Sequence, residues 1–166
     1  GIYSTFLERA LDHIIHDVAI QKLPVRFMLD RSGLVGADGP THQGVYDLTY
    51  LRMIPGMTLM VPRNGAELRR MIDFCYQHET GPIALRYPRG NTCSTEETEV
   101  PPIEMGKAHL LQDGTDIVLL AVGVMVEAAF ETAKKLEKEG YSVAVVNARF
   151  VKPLDRDLIL KLASFC

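Results

Sequence analysis

The chain has 166 residues, 47% of them hydrophobic, and carries a formal charge of −3 from 18 basic and 21 acidic side chains. That length fills one ordinary globular core or two small ones. No apolar run approaches the ~20 residues of a membrane helix, and without a long block of like charge nothing points to nucleic acid or a membrane surface.

GIYSTFLERA at the start lacks the charged lead and apolar core of a secretory signal. Cys75, Cys93 and Cys166 are odd in number and far apart. That spacing is unlike a disulfide framework or a CxxC metal knuckle and is expected of a reducing, intracellular compartment. The chain begins at a glycine and stops inside a helical pattern, so it is expected to be a piece of something longer.

After a short strand GIY, apolar residues at 6, 7, 10, 11, 14, 15, 18 and 19 predict a helix over 5–21. Thr5 and Glu8 form its expected capping box, and His13, on the polar side with His16, is placed to meet Asp17. Pro24 ends the pattern, and VRFMLD (25–30) reads as a buried strand. The loop GADGPTHQG (36–44) follows, then a short helix over 45–52 and a strand MTLMVP (57–62). Asn64 with Glu67 opens a helix whose inward stripe is Leu68, Met71, Ile72 and Cys75. GPIALRYPRGN (81–91) is a strand running into a loop.

The polar, acidic, proline-ended stretch 92–102 predicts a linker. Beyond it come an extended piece GKAHLLQDG, a strand DIVLLAVG, a helix ended by Gly140 and a strand YSVAVVNARF. Pro153 and Asp155 open a last helix. Near-continuous apolar strands alternating with helices imply an α/β fold of two parallel or mixed sheets, with ligand sites beyond the carboxyl ends of the strands.

The loop stands at such a place. Arg31 directly follows one strand and Arg86 ends another, so two guanidinium forks are placed to converge on a phosphate or carboxylate. Two surface arginines paired with Asp or Glu remain the alternative. Asp38 and His42 flank Gly39 and Pro40. An imidazole titrating near neutrality can pass a proton, and a carboxylate can hold a hydroxyl or orient the ring. With no third ligand a zinc site is not expected. The glycine order fits neither GxGxxG nor GxxxxGK[ST]. Tyr3 and Phe6, at a strand-to-helix junction, are core residues or a platform for a flat heterocycle.

The segments YSTFLERALDHIIHDVAIQKLPV, DRSGLVGADGPTHQGVYDLTYLRMIPGM, LRYPRGN and NARFVKPLD, in this order and spacing, resemble the 1-deoxy-D-xylulose-5-phosphate synthase family of the transketolase superfamily. The resemblance implies a pyrimidine-binding domain portion over 1–91, a linker over 92–102 and a transketolase C-terminal-like portion over 103–166. It implies thiamine diphosphate and Mg2+ as cofactors and pyruvate and D-glyceraldehyde 3-phosphate as substrates. The product, 1-deoxy-D-xylulose 5-phosphate, serves isoprenoid, thiamine and pyridoxal synthesis.

By the same resemblance Phe6 contacts the cofactor's aminopyrimidine, Tyr3 and Arg9 line the substrate pocket, and Arg31 and Arg86 hold the acceptor phosphate. Asp38 and His42 stand beside the reacting groups. The family's GDG metal motif and activating glutamate do not occur in these residues, so the piece is expected to be inactive alone. The resemblance further implies a homodimer, in the bacterial cytoplasm or a plastid. A transketolase, the β subunit of a 2-oxo acid dehydrogenase, and a non-catalytic α/β binding module remain alternatives.

Overall fold

The computed structural model describes residues 1–91 and 100–164. Expectations for Cys93, Cys166 and most of the predicted linker lie outside the described residues.

A five-stranded sheet has the order β1-β2-β4-β3-β8, built from β1 (Ile2–Tyr3), β2 (Arg26–Asp30), β3 (Thr58–Met60), β4 (Ile83–Arg86) and β8 (Phe150–Lys152). The first four run parallel, and β8 joins β3 antiparallel. A three-stranded sheet, β5-β7-β6, comprises β5 (His109–Gln112), β6 (Ile117–Ala121) and β7 (Val143–Asn147). The α/β class is as expected.

Strand alternation splits the larger sheet's side chains between two cores. Leu29, Leu59 and Ala84 pack with Leu7, Ile14, Leu51 and Ile54 beneath the N-terminal helical run and α3 (Asp47–Met53). Met60, Ile83 and Leu85 face Met71 and Cys75 of α4 (Gly65–Gln77) together with Phe150. In the smaller sheet Val143 and Val145 pack on Ala133 of α5 (Met125–Lys138).

Several elements differ from the sequence pattern. The predicted helix 5–21 is a broken run: α1 (Ser4–Leu7), a 3-10 turn (Glu8–Ala10), α2 (Leu11–His13) and a π-turn (Ile14–Ala19). The π-turn inserts a residue into the stripe, so Ala19 rather than Val18 follows Ile14 into the core. The predicted capping box does not form at this helix start. Instead Ser4 Oγ donates to Asp47 and Thr5 Oγ1 reaches the Thr41 carbonyl. His13 pairs with Asp12, its neighbour, rather than Asp17.

Asn64 does cap α4, accepting from the Glu67 amide. Its buried face, however, is Glu67, Met71 and Cys75, which turns Ile72 out to 44% exposure. Burial pushes the Cys75 thiol up to about 12, so it is a core residue and not a nucleophile. Gly140 ends α5 at φ +96, and Asp155 caps α6 (Arg156–Ala163) by accepting from the Leu158 amide.

The predicted strand 141–150 is interrupted. Arg149 adopts φ +56, in the left-handed region, and redirects the chain so that β8 leaves the smaller sheet for the larger one. A buried network fixes this exchange. The Glu67 carboxylate accepts from the Arg63 amide, Asn147 Nδ2 and Arg149 Nε. The two terminal nitrogens of Arg149 reach the Pro101 and Pro102 carbonyls.

Candidate functional site

Beyond the carboxyl ends of β2 and β4 the loop 33–44 closes on itself. Gly33 and Gly44 exchange backbone hydrogen bonds, 2.7 and 2.9 Å, at its neck. Gly44 is required there, because a Cβ would lie 2.6 Å from the Arg31 carbonyl and 2.7 Å from Ser4. Gln43 fills the loop interior: its side chain accepts from the Val35 amide and donates to the Val35 and Gly39 carbonyls. The loop is therefore a tied structure that presents Asp38 and His42 in fixed places.

Around its mouth the structure brings together Tyr3, Phe6, Arg9, Arg31, Asp38 and His42. The Tyr3 and Phe6 rings stack, centroids 5.4 Å apart and planes within 6°. The His42 ring meets Phe6 edge-on at 5.1 Å. The Arg31 guanidinium lies over Tyr3 at 4.1 Å and that of Arg9 over Phe6 at 5.4 Å. Arg31 itself is held at φ +56, a conformation sparsely populated for a side-chain-bearing residue.

Asp38 and His42 do not pair with each other. Asp38 is taken by two arginines: Arg89 donates to Oδ1, and Arg31 Nε lies 3.1 Å from Oδ2 as a charge contact outside hydrogen-bond geometry. His42 Nδ1 meets Thr41 Oγ1 at 2.8 Å, which leaves Nε2 without a protein partner among the described residues.

Arg86 is paired with Leu29 in register, one strand over from Arg31. Its Nε donates to Asp47 Oδ2 at 2.8 Å, and Asp47 is fully buried while the Arg86 side chain is 15% exposed. The pairing with aspartates that the sequence left open as an alternative is present at both arginines. Arg86 is hydrogen-bonded to its aspartate through Nε alone, and Arg31 meets its aspartate as a charge contact with Nε at 3.1 Å.

The molecule's structural arginines behave differently. Arg26 spends Nε and both terminal nitrogens on the carbonyls of Pro24, Cys75, Tyr76 and His78, and Arg149 likewise saturates all three. In Arg31 and Arg86 the terminal nitrogens have no hydrogen-bond partner among the described residues. Two such forks on adjacent strands suit one multidentate anion.

The half-buried Phe6 and Tyr3 rings with His42 beside them fit the flat heterocyclic end of a cofactor. Among the described residues no three His, Cys, Asp or Glu side chains group as a metal site, so nothing in them fits the metal-bound end.

The sequence pattern did not disclose Asp47, Ser4, Gln43 and Arg89. An acid in the first turn of a short helix reads as a partner of the helix dipole, and only the 39-residue separation closed by the fold makes Asp47 the anchor of Arg86.

The family described as transketolase, pyrimidine binding domain, matches residues 1–95, and that described as transketolase, C-terminal domain, matches residues 106–164. The chain belongs to the transketolase family. Within it the similarity is to 1-deoxy-D-xylulose-5-phosphate synthases. That of Thermosynechococcus vestitus is 57% identical and that of a Synechocystis species 56% identical, each over 165 residues that make up 98% of this chain and 26% of the relative. The chain thus spans about a quarter of the length of the curated relatives it matches. A solved structure described as a split gene transketolase, inactive β4 tetramer, superposes with a TM-score of 0.88 at 30% identity, covering 99% of this chain and 53% of that one. No helix among the described residues is long and apolar enough to cross a membrane.

Proposed function

We propose that the chain forms the acceptor-phosphate end of a thiamine diphosphate-dependent 1-deoxy-D-xylulose-5-phosphate synthase. In this reading 1–91 is a pyrimidine-binding portion, 92–102 a linker and 103–166 a C-terminal-like portion. The substrates are pyruvate and D-glyceraldehyde 3-phosphate, and the assembled protein is a homodimer of the cytoplasm or a plastid. The observation that carries it is the pair of guanidinium groups on adjacent strand ends, Arg86 hydrogen-bonded at Nε and Arg31 in charge contact with Asp38, both with their terminal nitrogens open among the described residues, beside the Tyr3–Phe6–His42 platform.

When bound, the cofactor supplies the carbon nucleophile and the sink for the electrons freed on decarboxylation. Phe6 packs on its pyrimidine ring, and Mg2+ and the diphosphate are held by residues outside these 166. Arg31 and Arg86 bind the phosphate of the aldehyde acceptor and so fix the distance of its carbonyl from the platform. His42 passes a proton from Nε2 to the carbonyl oxygen as the carbon bond forms, while Thr41 holds Nδ1. Asp38, neutralised by Arg31 and Arg89, keeps Arg31 over Tyr3 and offers its carboxylate to an acceptor hydroxyl. Tyr3 and Arg9 line the pocket wall.

The test is a segment exchange in which this chain replaces the matching 165 residues of the Thermosynechococcus vestitus relative. The exchanged protein is expected to make deoxyxylulose phosphate from pyruvate and glyceraldehyde 3-phosphate, and the 166-residue chain alone to give no turnover. In the exchanged protein Arg86→Ala raises the KM for glyceraldehyde 3-phosphate far more than that for pyruvate. An equal rise in both, or transfer from a ribose phosphate instead, overturns the reading.

A further inference from the structure

Asp47 is one of the most enclosed ionisable groups among the described residues, and two of its three hydrogen bonds lead toward the pocket. It is 0% exposed. Its Oδ2 accepts from Arg86 Nε and from Ser4 Oγ, each at 2.8 Å, and its Oδ1 from the Leu48 amide at 2.8 Å. These donors come from the end of β4, the β1–α1 junction beside Tyr3 and Phe6, and the first turn of α3. Tyr50, one turn further along α3, returns to the same junction by donating to the Ser4 carbonyl at 3.4 Å.

A carboxylate held by three donors from three elements has no freedom to rotate, and it transmits that rigidity to whatever it binds. A buried ion pair is weak grounds for stability, because desolvation offsets most of the attraction. A carboxylate placed only to neutralise an arginine gains most by engaging two nitrogens of the fork. Asp47 engages Nε alone. Both terminal nitrogens are thereby left without a hydrogen-bond partner among the described residues, one of them 3.8 Å from where a Cβ on Gly33 would lie. Arg26 and Arg149, which serve the fold, keep no nitrogen in reserve.

We propose that Asp47 is the positioning residue of the anion subsite: it clamps Arg86 by Nε, aims the two terminal nitrogens at a phosphate, and through Ser4 keeps that anion in register with the Tyr3–Phe6 platform. The inference rests on the phosphate role given to Arg86 above. It opposes a simpler electrostatic role with an outcome of opposite sign. As a mere counter-charge, Asp47 would weaken anion binding and its removal would strengthen it; as a clamp, its removal weakens binding despite the gain in positive charge.

The test titrates the segment-exchanged protein described above, its arginines nitrogen-15-labelled, with inorganic phosphate, glyceraldehyde 3-phosphate and unphosphorylated glyceraldehyde, following the arginine Nε–Hε resonances. In the unsubstituted chain the Arg86 Nε–Hε proton exchanges slowly with water, and its signal stays in place as phosphate binds at the terminal nitrogens. A fast-exchanging Arg86 signal, or one displaced to the solvent position by phosphate, overturns the inference without any variant. Asp47→Asn is expected to release that signal and weaken phosphate binding about tenfold, the loss of one bond between charged groups, with binding of unphosphorylated glyceraldehyde unchanged. Unchanged or tighter phosphate binding by Asp47→Asn overturns the clamp. Arg86→Ala separates the two ideas. If it leaves phosphate binding intact, the phosphate role of Arg86 fails; if it abolishes binding while Asp47→Asn does not, only the clamp fails.

Discussion

Arg149→Met tests whether the two sheets are fastened by charge. Arg149 is 3% exposed and Glu67 0%, so the substitution leaves a carboxylate sealed from water with the Arg63 amide and Asn147 Nδ2 as its remaining donors. Breaking one side of a buried pair costs about 3–5 kcal/mol, and the two surviving donors place this case near the lower figure. Against a total stability of about 5–15 kcal/mol that is a large fraction. With a urea dependence of about 2 kcal/mol per molar, the unfolding midpoint falls by roughly 1.5 M.

Glu67→Gln with Arg149→Met removes both charges and is expected to cost less than Arg149→Met alone, since no unpaired ion remains. Urea unfolding of the three variants, followed by circular dichroism, gives the cycle. A loss below about 1 kcal/mol for Arg149→Met, or strictly additive effects in the double variant, refutes the argument, because an exposed or independently solvated pair behaves that way.

Burial, with Arg26 nearby, lowers the His78 pKa below its ordinary 6.5. Above that pH the folded and unfolded chains are both neutral at this ring and it contributes no pH dependence; as the pH falls below about 6.5 the unfolded chain takes a proton that the folded chain resists, and stability declines. Replacing His78 by Leu should flatten this part of the curve between pH 7.5 and 5.5 relative to the parent, as read by thermal melts. Gly44→Ala should destabilise by about 1–3 kcal/mol, because the atom it meets first is backbone and cannot swing away. Gly36→Ala in the same loop, with nothing within 4 Å, should stay within about 0.5 kcal/mol. Cys75, with its thiol raised to about 12, should resist iodoacetamide at pH 8 in peptide mapping of the native chain and react once urea unfolds it.

The larger sheet was legible because buried parallel strands are continuous apolar runs, and VRFMLD, MTLMVP and PIALR are such runs. Caps were legible where the cap is local: Asn64 and Asp155 each bind an amide three residues on. The first helix failed because Ser4 and Thr5 spend their hydroxyls on partners 43 and 36 residues away, and no periodicity reports a π-turn. At the site, residue types at strand ends pointed to Arg31, Arg86, Asp38 and His42. What holds them did not show, since the Asp47 clamp and the double grip of Arg31 and Arg89 on Asp38 exist only after the chain has closed. Exposure misled in the same way at Ile72, since the buried face took in Glu67, an acid whose carboxylate is met there by Asn147 and Arg149 from the far end of the chain.

The short strand β8 covers the outer hydrogen-bonding edge of β3 with only three residues, and Lys152 fastens its end by donating to the Arg52 and Ile54 carbonyls. A shortened chain ending at Asn147 would lose that cover and present Thr58–Met60 as an unprotected ladder flanked by wholly apolar side chains. Such a product should self-associate through β3, showing thioflavin fluorescence and concentration-dependent light scattering that the 166-residue chain does not.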